Sequence, residues 1–241
     1  MAAIEGTTTL VGLVGDPVSG SLSPRMQNAA FAARGLDWVY VPLPVDHAAL
    51  GEAVAGLAAL GFAGANVTTP HKAAVIPFCH ELEVSAERAG SVNTLVVRDG
   101  RVTGLSTDAE ALDEVEAASA AVVGAGGAAA AWIAALEARS VPVTVFARRG
   151  TWPPQTDGAE LVVHATPVTD ELLFEPQAGQ TLIELAYHPD GRDPAHTAAA
   201  RAAGATVIDG LEVLARQGAA SFECWTGVSA PLDVMRAAIR P

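Results

Sequence analysis

The chain has 241 residues, half of them hydrophobic and 17% charged, which is typical of a folded protein with a substantial core in one or two domains. Its formal net charge of −13 argues against nucleic acid or an anionic membrane as the main partner. Only two cysteines are present, Cys79 and Cys224, so neither a disulfide framework nor a zinc site is expected. The sequence contains no leader-like segment and no apolar stretch long enough to span a bilayer, so the expected location is the cytoplasm.

Predicted strands and helices alternate through the first part of the chain, with strands at 9–14, at 38–45 and around Asn66 and helices at 24–33 and 48–60. Ser23 is a candidate N-cap for the first helix, and Pro24 occupies its first position. Gly35 and Gly61 end the two helices. This alternation predicts an α/β fold whose sheet contains parallel strand pairs.

The third predicted strand ends in a group of polar side chains. Asn66 and Thr68 lie two residues apart in an extended segment, so their side chains share a face. Pro70 then forces a turn that brings Lys72 to the mouth of a cleft. An amide, a hydroxyl and an ammonium suit a small polyhydroxylated or carboxylated ligand, although a solvent-facing strand beside a surface lysine explains the same residues.

Beyond Lys72 the sequence predicts a helical stretch as far as Glu81 and a short helix at 85–89. A strand at 91–97 is expected to pair antiparallel with residues 102–105 across an Asp-Gly hairpin turn. A further helix, from Thr107 and Asp108 to about residue 118, marks the crossing into a second domain.

A glycine-rich turn follows the next strand, at 121–123, and precedes a helix; its residues are Gly124, Ala125, Gly126, Gly127 and Ala128. Glycine permits a tight turn and lets a pyrophosphate approach the backbone, while the helix N-terminus favours the anion. Close packing in an alanine-rich segment also produces such strings, but the flanking strand and helix favour a dinucleotide site.

Two arginines follow the strand at 143–146, where NAD enzymes usually carry an acid that binds the ribose hydroxyls. The guanidiniums of Arg148 and Arg149 suit a 2′-phosphate, so the sequence favours NADP over NAD, unless both are merely solvated. Residues 150–158 contain Trp152-Pro153-Pro154 and are not expected to form a helix.

The remaining predicted elements continue the alternation, with strands at 181–186 and 206–208, a strand within 161–167 that ends in a turn, and helices at 194–203, 210–220 and 231–239. The last helix has no obvious partner in the nucleotide domain, so we expect it to pack on the first domain.

Several motifs in this order resemble those of the shikimate dehydrogenase family: Ser21-Leu22-Ser23-Pro24, Asn66-Val67-Thr68, Lys72, Ser91-Val92-Asn93-Thr94 and Ser106-Thr107-Asp108. The resemblance runs over most of the chain. It implies a substrate-binding and catalytic domain at 1–106 plus 215–241, with a mainly parallel sheet. It also implies a Rossmann-like NADP-binding domain at 107–214 and reversible, NADP-dependent reduction of 3-dehydroshikimate to shikimate in aromatic amino-acid biosynthesis.

The resemblance also implies roles for individual residues. Lys72 and Asp108 match the catalytic pair, in which the lysine donates a proton to the developing alkoxide and the aspartate orients it. The implied substrate-binding residues are Ser21, Ser23, Asn66, Thr68, Asn93, Tyr187 and Gln217. The implied cofactor-binding residues are Gly124, Gly126, Gly127, Ala128, Arg148, Arg149, Thr166 and Gly210.

The chain departs from the family pattern at several positions. Gln27 stands where the family usually has histidine, Ser106 where it has asparagine, and Ala147 where its basic signature begins. Because the nucleotide half is trimmed, a ligand sensor without turnover is an alternative, and quinate or aminoshikimate are alternative substrates. No metal site is expected, and the protein is expected to be a monomer or a homodimer.

Overall fold

The structure is a computed structural model that describes residues 4–240, and the chain divides into two compact units. The first unit comprises the residues up to Thr107 together with those from Ala215 onward. The second unit is Asp108–Leu214. Each unit is built around its own sheet. The α/β fold predicted from the sequence is confirmed.

The first unit contains a six-stranded sheet in the order β2-β1-β3-β5-β6-β4. Its strands are β1 Thr9–Gly15, β2 Trp38–Pro44, β3 Gly64–Val67, β4 Glu81–Leu82, β5 Thr94–Arg98 and β6 Arg101–Leu105. Its helices are α1 Ser23–Ala33, α2 Leu50–Ala59, α3 Val84–Ala89 and α7 Leu232–Ile239, together with most of α6, Gly210–Thr226. The sheet is mixed, because β1 runs parallel to β2 and β3 whereas β5 pairs antiparallel with β3 and β6.

Apolar side chains on the strands pack against the helices to form the core of this unit. Val14 and Val67 come from the central strands, and Leu50, Val54 and Leu57 lie on the inner face of α2. The spacing of these three residues, four and then three apart, is that of one helix face. Cys79 packs beside this core, and its burial raises the pKa of the thiol to about 11, as suits a small core residue.

The second unit contains a five-stranded sheet in the order β11-β10-β9-β7-β8, and every strand pair in it is parallel. Its strands are β7 Ala120–Val123, β8 Val143–Phe146, β9 Leu161–His164, β10 Thr181–Glu184 and β11 Thr206–Ile208, and its helices are α4 Gly127–Ala138 and α5 Ala195–Ala203. Strands β7 and β9 are buried along their whole length, as expected for central strands covered on both faces. Trp132 of α4 is the largest fully buried side chain among the described residues.

Two of the predicted helices are wrong. After Lys72 the chain forms only a short 3-10 helix, Ile76–Phe78, because Pro77 has no N–H to continue an α-helix. The backbone N–H of His80 instead donates to Val102 at the sheet edge. The helix expected from residue 107 is only a five-residue 3-10 helix, Glu110–Glu114. An α-helix here would place the acidic Glu110, Asp113 and Glu114 on one face, three and four residues apart, where like charges repel.

The predicted cap of α1 is also wrong. Ser23 is the first helical residue and Leu22 precedes it without a side-chain cap. The hydroxyl of Ser21 accepts the backbone N–H of Ser23 at 3.2 Å, so it satisfies one of the free amides at this end of the helix.

Other local predictions are confirmed. Asp99 and Gly100 have φ angles of 51° and 74°, which the hairpin turn requires. Residues 147–160 contain no helix, and α7 packs on α1 in the first unit. Helix α6 is longer than predicted and continues to Thr226. Among the residues that the structure describes, no helix has the length and apolar character needed to cross a bilayer.

Candidate active site

Asn66 is the centre of a buried hydrogen-bond network in the first unit. It lies on β3 and is only 5% exposed. Its Oδ1 accepts from the hydroxyl of Tyr40 at 2.9 Å, and its Nδ2 donates to Ser221 at 2.9 Å and to the carbonyl of Asn93 at 3.1 Å. The network fixes the orientation of an amide that the sequence placed at the ligand site.

Asn93 is held in the same network just before β5. Its Oδ1 accepts the backbone N–H of Thr107 at 2.8 Å, and its Nδ2 donates to the hydroxyl of Thr107 at 2.9 Å and to Oε1 of Gln217 at 3.3 Å. Two predicted substrate-binding residues, far apart in the chain, therefore meet through their amides. Helix α6 supplies Gln217, and the segment leading into β5 supplies its partner.

The sequence reasoning missed four members of this network: Tyr40, Thr94, Thr107 and Ser221. Tyr40 and Thr94 lie on strands whose neighbours are set by the register of the sheet, which local patterns do not reveal. Ser221 follows Gln217 by four residues, so it lies on the same face of α6, and that spacing was the one available signal. Its hydroxyl is 2.8 Å from that of Thr94.

The segment that carries Lys72 is fixed by backbone hydrogen bonds. The Thr68 N–H donates to Val14 at 2.9 Å, and the Lys72 carbonyl accepts the Val92 N–H at 2.8 Å. Next to the lysine, the fully buried His71 donates from Nε2 to the Val45 carbonyl at 2.6 Å, so its ring anchors the loop. The half-buried Lys72 thus extends from a held backbone, beside the segment that leads to Asn93.

Ser21 and Ser23 lie together at the start of α1, where the first hydroxyl accepts the backbone N–H of the second residue. Ser23 is buried and Ser21 is half-buried. One turn along the same helix, the amide of Gln27 donates to the carbonyl of Gly218 in α6 at 2.8 Å. This hydrogen bond therefore joins α1, at whose start the two serines lie, to α6, which carries Gln217.

The glycine turn of the second unit has the backbone that its sequence predicts. Gly124 has a φ of 130°, and a Cβ at this position would lie 2.5 Å from the carbonyl oxygen of Ala165, which directly follows the neighbouring strand β9. Gly126 is the N-cap of α4, and Gly127 is its first residue. The first turn of α4 carries no acidic side chain, so its free N–H groups and the helix dipole are available to an anion.

A cleft of about 370 Å³ opens beside this turn within the second unit. Its lining includes Gly124, Ala125, Phe146, Ala147, Arg148, Arg149, Trp152, Thr166, Pro167, Val168 and Leu173. The guanidinium carbon of Arg148 lies 5.6 Å from the ring centre of Trp152, a distance typical of a cation–π contact. The glycine turn, the two arginines and this volume fit a phosphorylated dinucleotide.

Three other predicted residues lie elsewhere in the second unit. A Cβ at Gly210 would meet the carbonyl of Ala186, so glycine permits close packing where α6 begins, and Gly210 does not line the cleft. Asp108 is buried, with 8% exposure, and Tyr187 is half-buried at the end of the β10 segment. The predicted roles of these residues belong to the proposal below.

Among the described residues, one group has the composition of a metal site: His164, Glu184 and His196, whose ligand atoms all lie within 4.8 Å of one another. All three are fully buried in the second unit. No metal was expected there, because these histidines have no ligand-like spacing in the chain.

Comparison with known proteins shows the family of this chain. Residues 13–95 match the family model described as the shikimate dehydrogenase substrate binding domain, and residues 210–240 match the shikimate 5′-dehydrogenase C-terminal domain. Shikimate dehydrogenase (NADP(+)) of Moorella thermoacetica is 38% identical over 283 aligned positions, which cover 100% of this chain and 95% of that protein. This chain belongs to the shikimate dehydrogenase family.

Solved structures of shikimate dehydrogenases have the same fold. A shikimate dehydrogenase in complex with NADP+ has a TM-score of 0.86 and 28% identity, covering 99% of this chain and 96% of that one. Shikimate 5-dehydrogenase of Thermus thermophilus, in complex with NADP(H) and shikimate, has a TM-score of 0.85 and 30% identity, covering 96% of this chain and 98% of that one.

This shikimate dehydrogenase family member is a short one. Its alignment with the Moorella protein runs over 283 positions, whereas the chain has only 241 residues, so it lacks residues at some of these positions. The helix-free segment after β8 is where the sequence predicted trimming. Of the two substitutions noted in the substrate half, Gln27 donates through its Nε2, whereas the buried hydroxyl of Ser106 has no partner among the described residues.

Proposed function

We propose that this chain is an NADP-dependent shikimate dehydrogenase that interconverts 3-dehydroshikimate and shikimate in aromatic amino-acid biosynthesis. The observation that carries the proposal is the network joining Asn66, Asn93 and Gln217 in the first unit, since it aligns amides suited to a polyhydroxylated ring. Membership of the family and the relatives with NADP(+) in their names support the choice of reaction.

Lys72 is the proposed proton donor. When a ketone is reduced, negative charge develops on its oxygen, and an ammonium beside that oxygen stabilises the charge and supplies the proton. Asp108 is the proposed partner that orients Lys72 and keeps it charged. In the reverse direction the same pair removes the proton of the hydroxyl group.

The substrate ring is proposed to be held by the remaining residues of the motif set. The hydroxyls of Ser21 and Ser23, with Tyr187 and Thr68, are assigned to the carboxylate end. Asn66, Asn93 and Gln217 are assigned to the ring hydroxyls, because an amide both donates and accepts hydrogen bonds. A carboxamide already fixed by buried partners loses little side-chain entropy when it binds.

The cofactor is proposed to lie in the cleft of the second unit, where it supplies the hydride when bound. Gly124, Gly126, Gly127 and Ala128 form the proposed pyrophosphate site, and Arg148 and Arg149 are assigned to the 2′-phosphate. Thr166 lines the same cleft. Gly210 was predicted to bind the cofactor as well, and its close packing against Ala186 supports only an indirect role.

Oxidation of shikimate by NADP+, with quinate in a parallel assay, tests the proposal and separates its alternatives. We expect kcat/KM for shikimate to exceed that for quinate by at least about tenfold, as one mismatched polar substituent commonly costs that much or more. A preference for quinate would replace the proposed substrate. Tight shikimate binding without turnover of either acid would instead identify a ligand sensor.

The monomeric or dimeric state and the cytoplasmic location stay predictions. The proposed reaction takes place without a metal, and its proposed small-molecule partners are the substrate and the cofactor.

A further inference from the structure

A buried polar cluster in the second unit has no role in the chemistry proposed above. It consists of His164 at the end of β9, Glu184 at the end of β10 and His196 in α5. His164 and Glu184 lie side by side because the parallel register of the two strands pairs these positions. Titratable side chains are costly to bury unless they are hydrogen-bonded, so the bonds of the cluster indicate what it does.

The donors and acceptors determine where the protons lie. Both carboxylate oxygens of Glu184 lie near Nδ1 of His164, at 2.8 and 2.9 Å, and Oε1 also accepts the Ala186 N–H at 2.9 Å. An ionised carboxylate only accepts, so Nδ1 of His164 carries hydrogen. In a carboxylate–imidazole–hydroxyl triad the resting imidazole is neutral, and by that analogy we assign Nε2 of His164 as the acceptor to which the hydroxyl of Thr166, 2.6 Å away, donates.

This order of groups, carboxylate then imidazole then hydroxyl, is that of a hydrolase triad, in which the resting imidazole is neutral. In this cluster the order of groups sets the direction in which the Thr166 hydroxyl donates its hydrogen bond. Its hydrogen is directed into the core, and the Val168 N–H donates weakly to its oxygen at 3.3 Å. The other lone pair of that oxygen remains for the cleft, whose wall includes Thr166.

His196 completes the support of the same wall. Its Nε2 accepts the backbone N–H of Leu173 at 2.8 Å, and Leu173 also lines the cleft. Burial is the largest cause that lowers the pKa of His196, to about 3, so its ring is neutral at physiological pH. The wall between β9 and β10 has no regular secondary structure, so these two histidines hold it from the inside.

A metal ion does not fit this arrangement. Two imidazoles on one tetrahedral zinc, with Zn–N bonds of about 2 Å, would hold their ring centres roughly 5 Å apart. The ring centres of His164 and His196 are 4.2 Å apart. Nε2 of His196 is already an acceptor for the Leu173 N–H, and its Nδ1 is buried without a partner among the described residues, so Nδ1 is the one nitrogen of this ring left to a metal. The ring separation is too short for zinc, and the bonds of Glu184, His164 and Thr166 are those of a hydrogen-bond relay.

We propose that Glu184 and His164 are positioning residues for NADP, which orient the Thr166 hydroxyl so that its oxygen accepts a hydrogen bond from the bound nucleotide. The donor on the nucleotide is a ribose hydroxyl or the nicotinamide amide. This inference rests on the proposed cofactor site and adds the residues that set its polarity. Glu184 and His164 act through Thr166 and do not touch the nucleotide.

A double-mutant cycle on NADP+ affinity, measured by calorimetry, tests the relay. Thr166→Val removes the hydroxyl, and we expect about tenfold weaker binding, the loss of one net hydrogen bond. Glu184→Leu removes the acceptor of Nδ1, so His164 is no longer held with Nε2 as an acceptor and the Thr166 hydroxyl is released as a donor; we expect a similar loss. Thr166→Ser keeps the hydroxyl, so its affinity should stay close to that of wild type. In the Thr166→Val background, Glu184→Leu has no further effect if it acts through the hydroxyl.

Several outcomes would overturn the relay. These are losses that simply add in the double variant, unchanged affinity in Thr166→Val, or stoichiometric zinc in the purified protein. Nitrogen NMR of the wild-type histidines gives a second reading that does not depend on the folding of a variant, and it must find hydrogen on Nδ1 of His164 and not on Nε2. If folded wild-type protein binds no NADP+ at all, the cofactor site itself fails, and the relay proposal falls with it.

Discussion

Lys72→Ala is expected to lower kcat for 3-dehydroshikimate reduction by roughly 10²- to 10⁴-fold, the range typical of a lost general acid. The substrate KM should change much less, because the amides and hydroxyls assigned to the ring remain. Steady-state kinetics with saturating NADPH measures both parameters. Unchanged kcat would remove Lys72 from the mechanism.

The lysine content of the chain provides a matched control for this experiment. Lys72 is the only lysine in the sequence, and the other thirteen cationic residues are all arginine. A lysine at this position alone is consistent with a requirement for a group that can release its proton, which arginine does not do at neutral pH. Lys72→Arg keeps the positive charge and is therefore the matched control, and we expect it to remain at least about 100-fold slower than wild type.

The presence of a single lysine also allows contact between its amine and the substrate to be tested directly. Protein labelled with ¹⁵N-lysine contains one side-chain amine signal, which belongs to Lys72. We expect shikimate to shift this signal in wild-type protein. An unperturbed signal at saturating shikimate would contradict contact between this amine and the substrate.

Replacing Arg148 and Arg149 together by alanine is expected to weaken NADP+ binding by about 100-fold or more. A hydrogen bond to a charged group contributes about 1.5–3 kcal/mol, and the 2′-phosphate would lose two guanidiniums. NAD+ carries no such phosphate, so its affinity should change little. The discrimination between the two cofactors should therefore collapse.

Calorimetry with NADP+ and NAD+ measures this change. Arg192→Ala removes one exposed guanidinium that pairs with Asp170 and does not line the cleft, so it controls for the general loss of positive charge. Equal weakening of both cofactors in the double variant would mean that the arginines support the fold of the cleft and do not read the phosphate. An effect as large in the control would point to long-range electrostatics.

Local sequence patterns predicted most of the order of strands and helices along the chain, because parallel units, hairpin turns and glycine turns depend on neighbouring residues. They did not predict the network around Asn66. Tyr40 reaches Asn66 only because β1 lies between β2 and β3, and that arrangement is a property of the whole sheet. The helix predicted after Lys72 fails because Pro77 interrupts it, and the N–H of His80 then finds a partner on a distant strand.

The residues of the candidate site likewise fall into those that the sequence could predict and those that it could not. Lys72 and the arginine pair follow recognisable motifs, so the sequence alone nominated them. His164 and Glu184 have no motif that joins them, and only the register of β9 on β10 places them together. Ser21 was expected only to bind substrate, yet its hydroxyl also satisfies the first amide of α1.

The most direct test of the central claim follows NADPH absorbance after 3-dehydroshikimate is added to purified protein, with NADH in a parallel cuvette and Lys72→Ala as the blank. We predict oxidation that requires the substrate, is fast with NADPH, slow with NADH and nearly absent in the variant. Folded wild-type protein that oxidises neither cofactor would contradict the assignment of this chain as a shikimate dehydrogenase.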